Sequence, residues 1–411
     1  MSARVCDLGS LMPVDEAIRR LLDQAPPPPP GQMIDLDQAL GRVLACDIHS
    51  PVNLPAWDNS AMDGYALRAA DLPAEGGWLP LGGRIAAGDQ ACSPLLAQQT
   101  VQIFTGAPLP SGADTVVPQE RCQVEGERVC FPAVSPGDHV RKLGEEVRRG
   151  DLLLQAGKRL RAQEVGLLAG AGIARVEVYR PLQVCLLSSG NELREPGEAL
   201  APGQIYNSNR HCLAALLRGW GVEVHDYGVM ADELAASRHA LSLASSECDL
   251  LLSSGGVSVG GEDHLKQAIE ELGRIDFWRL AIQPGKPLAF GDVAGKPWIG
   301  MPGNPSAALI TALVVVRPLL LRAQGVTEVL PLPLSVPAGF DWLQRNKRRQ
   351  YLRARLIPGT DGQLRVELHP QQSSAMLTAA CWADGLAVIE CEQQVQKHDN
   401  VMFLSFADLM H

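Results

Sequence analysis

The sequence predicts a multidomain α/β protein organised around a doubly wound, mostly parallel sheet. Its 411 residues exceed the size of one ordinary compact core, so two to four domains are expected. Between residues 181 and 328, apolar strand patterns alternate with helical patterns, which favours parallel strands joined by crossover helices. Short apolar runs broken by glycine and proline fill residues 48–147 and 329–411, and this pattern is typical of β structure.

The N-terminal region is expected to be helical or mixed. Residues 13–22 combine a proline and two acidic residues in the first turn with apolar residues on one face. Five consecutive prolines end this helix, and a second short helix is expected over residues 36–43. Residues 150–180 return to a helical pattern. The predicted domains are residues 1–47 with 148–180, an inserted β-rich lobe at 48–147, the doubly wound domain at 181–328 and a terminal β domain at 329–411.

Three strand patterns of the doubly wound domain end in polar loops. These loops read SSGNE, VMADE and SSGGVSVGGED, and each precedes a helical pattern. Ligands of such sheets bind beyond the carboxyl ends of the strands. The three loops are therefore expected to form the binding site.

Composition excludes several classes of protein. A net charge of -10 and a pI of about 5.4 argue against a general nucleic-acid surface, which needs a basic stripe. The ten cysteines include no C-x-x-C pair, so zinc-cluster spacing is absent. The first residues lack the apolar core of a signal peptide, and the apolar stretch 307–321 is too short to span a bilayer. We therefore expect a cytoplasmic protein in which residues 307–321 form a buried helix.

The stretch Gly256-Val257-Ser258-Val259-Gly260 fits the G-x-S-x-G pattern of serine hydrolases. A nucleophile elbow needs a helix to start almost at the serine, whereas Gly260 and Gly261 are poor helix formers. The same glycines and serines could cradle a phosphate with backbone N–H groups, or form a structural turn. No G-K-[ST] follows, which disfavours a P-loop nucleotidase.

Acidic residues cluster beside these loops. Asp232 and Asp263 follow predicted strands and open predicted helices, and Glu192 lies in the first polar loop. Helix capping explains such aspartates equally well. Three carboxylates at one edge of a sheet, next to a phosphate cradle, would suit Mg²⁺, which could neutralise phosphate charge.

Two stiff loops follow later apolar runs. Gln283-Pro284-Gly285-Lys286-Pro287 carries a lysine suited to an oxyanion, and in Met301-Pro302-Gly303-Asn304-Pro305-Ser306 the asparagine could cap the next helix. Rigid turns are the structural alternative for both.

Taken together, these stretches resemble the molybdenum insertases, the molybdopterin molybdenumtransferases whose eukaryotic relatives include the E domain of gephyrin. Seven motifs in order carry the resemblance: DNSAMDGYA (58–66), FTGAPLPSGADTVVPQE (104–120), SSGNEL (188–193), QIYNSN (204–209), SSGGVSVG (253–260), PGKP (284–287) and MPGNP (301–305).

The resemblance implies an activity and an assembly. Members of this family bind adenylylated molybdopterin and molybdate, insert the metal at the dithiolene and release AMP. It also implies an elongated homodimer of four-domain subunits, with the ligand in the doubly wound domain, a β-barrel-like terminal domain and handoff of the product to molybdoenzymes.

Residue roles follow from the resemblance position by position. The implied catalytic residues are Asp58, Thr105, Glu192, Asp232 and Asp263, and Asp232 with Asp263 would hold Mg²⁺. The implied substrate-binding residues are Ser254, Gly255, Gly256, Ser258, Gly260, Lys286, Pro302, Gly303, Asn304, Pro305, Ser306, Arg353 and Ser374. Among them, Lys286, Ser306, Arg353 and Ser374 are the candidates for molybdate, a dianion that needs cations and hydroxyl donors.

Three positions depart from the family pattern. Asn191 replaces an acid, Gln283 replaces a lysine, and Glu146 stands where aspartate is common. Loss of the lysine removes a cation from the oxyanion pocket, for which Arg279 or another cation could compensate. A non-catalytic scaffold or a divergent paralogue on the same fold therefore stays open. The choice between molybdate and tungstate and the involvement of copper stay open as well.

Overall fold

The structure is a computed structural model that describes residues 11–89, 93–231, 233–255, 264–285, 287–359 and 361–410. The chain divides into two compact units. The small unit contains residues 33–40 and 44–177, and the large unit contains residues 1–32, 41–43 and 178–411. The four domain boundaries drawn from the sequence stay a prediction.

The first part of the chain is rich in short strands. Its elements are α1 (Val14–Asp23), β1 (Gly31–Asp35), β2 (Ile48–His49), β3 (Asn59–Ser60), β4 (Gly64–Leu67), β5 (Gly77–Ile85), β6 (Thr100–Ile103), β7 (Thr115–Pro118), β8 (Gln123–Glu125), β9 (Arg128–Phe131), β10 (Val140–Arg141), β11 (Leu152–Leu154), α2 (Ala162–Gly170) and β12 (Arg175–Tyr179). In the small unit, six strands form one sheet in the order β7-β4-β6-β5-β9-β8, and β3 pairs with β10. The β-rich character predicted for residues 48–147 is thus observed.

The short helix expected over residues 36–43 is wrong. A single 3₁₀ turn, Leu36–Gln38, occupies this segment after strand β1. Gly41 adopts a left-handed conformation with φ +76, which a continuing α-helix does not allow. Likewise, helix in the segment 150–180 is limited to α2, with β11 and β12 on either side.

The second part of the chain alternates strands and helices before returning to strands. Its elements are β13 (Gln183–Ser189), β14 (Leu193–Arg194), β15 (Ile205–Tyr206), α3 (Ser208–Gly219), β16 (Glu223–Met230), α4 (Leu234–Glu247), β17 (Leu250–Ser254), α5 (His264–Leu272), β18 (Gly273–Arg279), β19 (Ile282–Gln283), β20 (Pro287–Val293), β21 (Lys296–Met301), α6 (Pro305–Thr311), α7 (Arg317–Ala323), β22 (Leu334–Pro337), β23 (Arg349–Pro358), β24 (Leu364–Leu368), α8 (Leu377–Trp382), β25 (Gly385–Ile389), β26 (Asn400–Ser405) and α9 (Phe406–Leu409).

The central sheet of the large unit has the order β16-β13-β17-β21-β20-β18. The pairs from β16 to β21 are parallel, and β20 and β18 add an antiparallel edge. Helices cover both faces, because alternate residues of β13 enter different cores: Val184 and Leu186 pack with α3, whereas Cys185 and Leu187 pack with α4 and α5. The predicted doubly wound, mostly parallel sheet is confirmed.

A long apolar helix runs beneath this sheet. It extends over Pro305–Ala323 as α6, a π-helical turn at Ala312–Val316, and α7. Within the described part of the chain it alone has the length and apolarity to cross a membrane, with a mean hydropathy of 1.7, yet 94% of that window is buried inside the protein. Such burial is typical of a core helix, as expected for residues 307–321.

The terminal strands form a second six-stranded sheet. Its order is β19-β23-β25-β26-β22, and β24 pairs with the other part of β23. Strand β19 comes from outside residues 329–411 and pairs in parallel with β23, placing Gln283 opposite Gln350. The QPGKP loop therefore starts from the terminal sheet.

Candidate functional site

Three parallel strands of the central sheet end side by side. The register places Ser188 of β13 opposite Ser254 of β17, and Ser254 opposite Met301 of β21. The polar loops SSGNE, SSGGVSVGGED and MPGNP leave the sheet from these ends. They therefore share one edge, which is where ligands of parallel sheets bind.

Asn209, at the start of α3, connects two of these loops. Its side-chain nitrogen donates to Ser254 Oγ at 2.9 Å and to the carbonyl oxygen of Gly303 at 2.8 Å. Its Oδ1 atom is buried and has no hydrogen-bond partner in the part of the chain that the structure describes, and the same holds for Asn207 Nδ2 and Ser188 Oγ. Among the described residues, the edge therefore contains three buried polar atoms whose hydrogen-bonding capacity is unused.

The sequence hypothesis missed Asn207 and Asn209 as site residues. Asn207 accepts a hydrogen bond from the backbone N–H of Arg210, an ordinary cap of α3. From the sequence alone, Asn209, two residues after this cap, is also interpreted as an ordinary polar residue of the turn. The motif QIYNSN was the available signal, because it contains both asparagines and is one of the seven motifs that resemble the family.

Besides Ser254, two further predicted residues of this edge, Gly255 and Glu192, lie within the described chain. Gly255 has φ +84, and a Cβ atom at this position would clash with the carbonyl oxygen of Ser189. Glycine is therefore needed for close packing of the two strand ends. Glu192 is exposed, and its carboxylate folds back over Gly190.

Six predicted site residues lie outside the described residues: Gly256, Ser258, Gly260, Asp232, Asp263 and Lys286. Their roles stay predictions. The described ranges contain no group of three or more His, Cys, Asp or Glu side chains that could hold a metal ion. Glu192 alone is a poor fit for Mg²⁺, which prefers several oxygen ligands, so any such site depends on Asp232 and Asp263.

A cavity of about 390 Å³ adjoins this edge in the large unit. Three stretches form its walls: the QPGKP loop, the MPGNP loop and residues 372–374. The described lining residues are Gln283, Pro284, Gly285, Pro287, Pro302, Gly303, Asn304, Ala307, Arg348, Gln372, Ser373 and Ser374. Four predicted binding residues, Pro302, Gly303, Asn304 and Ser374, therefore line one cavity.

Arg353, on β23, lies directly behind the wall formed by residues 372–374. Its side chain is 0% exposed, and its Nη2 donates to the carbonyl oxygen of Ser373 at 3.1 Å. Its Nε and Nη1 atoms are buried without partners. Burial lowers the pKa of Arg353 to about 10, so the guanidinium remains charged at neutral pH.

Ser374 joins the two loops of the cavity. Its carbonyl oxygen accepts from the backbone N–H groups of Ser306 (2.9 Å) and Ala307 (3.2 Å), and Asn304 Nδ2 donates to its hydroxyl at 3.3 Å. Asn304 occupies the N-cap position of α6 without making a side-chain cap. Ser306 is fully buried, its hydroxyl is unpaired, and neither it nor Pro305 is among the described lining residues.

Gln283, the residue that replaces a lysine of the family, accepts two hydrogen bonds. Asn346 Nδ2 donates to its Oε1 at 2.6 Å, and Arg348 Nη2 donates to the same oxygen at 3.2 Å. Arg348, rather than Arg279, is the cation among the described lining residues. Little in the sequence pointed to Arg348, since an arginine in the basic run RNKRR is usually a solvated residue.

The small unit carries the remaining predicted residues. Asp58 accepts from the backbone N–H of Leu143 at 2.8 Å, and Lys142 Nζ lies 3.0 Å from its other oxygen. The Leu143 N–H, aided by Lys142, holds the pKa of Asp58 below its ordinary value. Thr105 donates to Asp63 Oδ1 from both its backbone nitrogen and its hydroxyl, each at 2.8 Å. Lys142 and Asp63 thus hold the two predicted residues, and neither was singled out from the sequence.

Comparison with protein families covers nearly the whole chain. The MoeA N-terminal region (domain I and II) matches residues 12–172, the probable molybdopterin binding domain matches residues 185–322, and the MoeA C-terminal region (domain IV) matches residues 335–406.

Individual proteins agree with these matches. The molybdopterin molybdenumtransferase of Haemophilus influenzae is 37% identical over 93% of this chain and 95% of its own length. Molybdopterin molybdenumtransferase 2 of Mycobacterium tuberculosis is 36% identical over 78% of this chain and 82% of its own. The crystal structure of the molybdopterin biosynthesis MoeA protein of Pyrococcus horikoshii matches 97% of this chain and 99% of its own, with 30% identity and a TM-score of 0.75. The chain therefore belongs to the molybdopterin molybdenumtransferase family and is an enzyme of molybdenum cofactor biosynthesis.

Proposed function

We propose that the large unit binds adenylylated molybdopterin at the carboxyl edge of its central sheet and molybdate in the adjoining cavity. Molybdenum is then transferred to the dithiolene sulfurs, and AMP is released. The residues of the edge hold the organic ligand, while those of the cavity hold the oxyanion. The main task of the protein is to bring two anions together, which requires positive charge and hydrogen-bond donors at fixed positions.

The observation that supports the cavity as the oxyanion site is the state of Arg353. A fully buried guanidinium with two unpaired nitrogens is costly, because its desolvation is not offset by a carboxylate. A bound dianion beyond Ser373 would provide that compensation. The alternative of a pure binding scaffold gives no reason to retain such a cation.

The other residues of the site have distinct tasks. Asn209 holds Ser254 and the Gly303 carbonyl in place, so that the edge is organised before the ligand arrives. Ser374 and Asn304 would donate to oxyanion oxygens. Mg²⁺ held by Asp232 and Asp263 would neutralise phosphate charge on the adenylylated ligand.

The decisive experiment measures AMP release from adenylylated molybdopterin with molybdate present. We expect release by the full chain and roughly 30- to 140-fold less by Arg353→Met, because about 2–3 kcal/mol of charge-assisted binding is lost. Arg355→Met is the matched control, since Arg355 lies two residues away on β23 but pairs with Glu367 and stacks on Trp382. Equal release by both variants would contradict the proposal. A fluorophosphonate adduct at Ser258 would instead support a serine hydrolase.

The assembly and location of the enzyme are part of the same proposal. A cytoplasmic homodimer that passes its product to molybdoenzymes agrees with the family resemblance. Light scattering of the purified chain tests the dimer, and a monomer at micromolar concentration would reject it.

A further inference from the structure

The charge on the cavity wall comes from one side chain among the described lining residues, Arg348. Arg349, the next residue, pairs with Asp15 and Glu390, whereas no carboxylate lies within ion-pair distance of Arg348 in the described part of the chain. Arg348 is half-buried. An arginine that faces a cavity without an acidic neighbour is available to an anion.

The position of Arg348 is fixed by its neighbours. Its backbone nitrogen donates to Asn346 Oδ1 at 3.0 Å, and its Nη2 donates to Gln283 Oε1. Gln283 is itself held by the pairing of β19 with β23, which places it opposite Gln350. Backbone pairing and the side chains of Asn346 and Gln283 therefore determine where the guanidinium lies.

The same contacts orient the Gln283 amide. Its oxygen accepts from both Asn346 and Arg348, and the opposite orientation would place its N–H groups against two donors. The oxygen is thus occupied, and the amide N–H groups remain to donate elsewhere. Arginine also donates only. Gln283 and Arg348 therefore offer hydrogen-bond donors to whatever the cavity holds.

We propose that Gln283 and Arg348 form a donor-only recognition pair for a fully deprotonated tetrahedral oxyanion. This inference rests on the proposed function, since it takes the cavity to be the oxyanion site. Arg348 supplies the charge that the family's lysine would supply at position 283, and Gln283 supplies a neutral N–H donor. Molybdate, tungstate and sulfate carry only acceptor oxygens at neutral pH. Inorganic phosphate keeps at least one proton, and that proton finds no acceptor on this pair.

The test is calorimetric titration of the full chain at pH 7 with molybdate, tungstate, sulfate and phosphate. We expect the chain to bind molybdate at least about tenfold more tightly than phosphate. Arg348→Gln should weaken molybdate binding about tenfold or more, the loss of one charge-assisted hydrogen bond. Arg345→Gln is the matched control: Arg345 also donates to a glutamine oxygen, Gln394 Oε1 at 3.4 Å, but is not among the lining residues. The affinity of the Arg345→Gln variant for molybdate should equal that of the wild type.

Gln283→Glu supplies a second variant in case Arg348→Gln folds poorly. A glutamate keeps an acceptor for Asn346 and Arg348 but cancels the charge of the arginine, so molybdate binding should fall at least about tenfold. Wild-type affinity in both variants, or phosphate bound as tightly as molybdate, would overturn the recognition pair. If Arg353→Met loses molybdate while these variants keep it, the pair is rejected and the proposed function stands. A wild-type chain that binds no molybdate would reject both.

Discussion

Asn209 donates a 2.9 Å hydrogen bond to Ser254 Oγ, so the first turn of α3 is fastened to the carboxyl end of β17. The second N–H of the same amide reaches Gly303, at the beginning of the MPGNP loop. One side chain therefore sets the spacing between the edge of the central sheet and a wall of the cavity.

Replacing Asn209 with alanine should lower both stability and ligand affinity. The buried Ser254 hydroxyl and the Gly303 carbonyl lose their donor, and a buried group left unpaired costs about 1–3 kcal/mol. Denaturant unfolding measures the first effect, and binding of molybdopterin measures the second. Ser405→Ala is the control, since it removes a helix cap worth about 1 kcal/mol, the hydrogen bond from the Ala407 N–H at the start of α9, without touching Ser254 or Gly303. Wild-type affinity in Asn209→Ala would show that the link has no part in binding.

Replacing Arg353 with methionine should stabilise the ligand-free protein. A buried cation without a carboxylate opposes folding, and an apolar side chain of similar length removes that cost. We expect the free energy of unfolding to rise by about 1–3 kcal/mol, while stabilisation by added molybdate disappears. Thermal unfolding with and without molybdate reports both effects. A less stable ligand-free variant would mean that Arg353 is compensated within the protein.

Gly285 and Gly303 line the same cavity but should respond differently to alanine. Gly285 has φ +112, and an added Cβ would clash with Thr311 Oγ1 on the core helix. Gly285→Ala should therefore cost more than about 1 kcal/mol of stability. A Cβ on Gly303 meets open space, so Gly303→Ala should change stability by less than about 0.5 kcal/mol. The denaturant midpoints of the two variants measure these losses of stability. Equal midpoints would contradict the predicted clash at position 285.

Asp58→Asn should remove a pH-dependent contribution of the Asp58 carboxylate to the stability of the small unit. The folded pKa of Asp58 lies below its ordinary value, so the carboxylate stabilises the fold above the unfolded pKa of about 3.9. This stabilisation is lost as the pH falls through the folded pKa. At pH 7 the free energy of unfolding of Asp58→Asn should be lower than that of the wild type by less than about 1 kcal/mol, because the side chain is partly exposed. At the acidic end of the range the two proteins should be equally stable. Thermal unfolding from pH 7 to 3 tests this, and a difference that grows toward low pH would contradict it.

The fold was largely predictable because its strongest signals are local. Strands β13 and β17 are continuous apolar runs followed by glycine-rich loops, and α5 spans the HLKQAIEEL pattern from His264 to Leu272. Segments with weak periodicity were less predictable. The expected helix at 36–43 failed, because Gly41 takes a positive φ that ends the turn.

The site was predictable in part. Ser254 and Gly303 lie in motifs and Ser374 was implied by the family resemblance, and the structure places them around one edge and one cavity. The roles of Arg348 and Asp63 were missed. Arg348 contacts Gln283, 65 positions away in the chain, and Asp63 contacts Thr105, 42 positions away. Such contacts arise from strand pairing across the chain and leave no trace in local spacing.

The backbone N–H groups at the start of α6 are already committed to the Ser374 carbonyl. These two main-chain amides are closed to an anion, so the selectivity of the cavity depends more on its side chains and can change through single replacements while the scaffold stays intact. The glutamine at position 283 is such a replacement: it changes the donors of the cavity without rebuilding a loop.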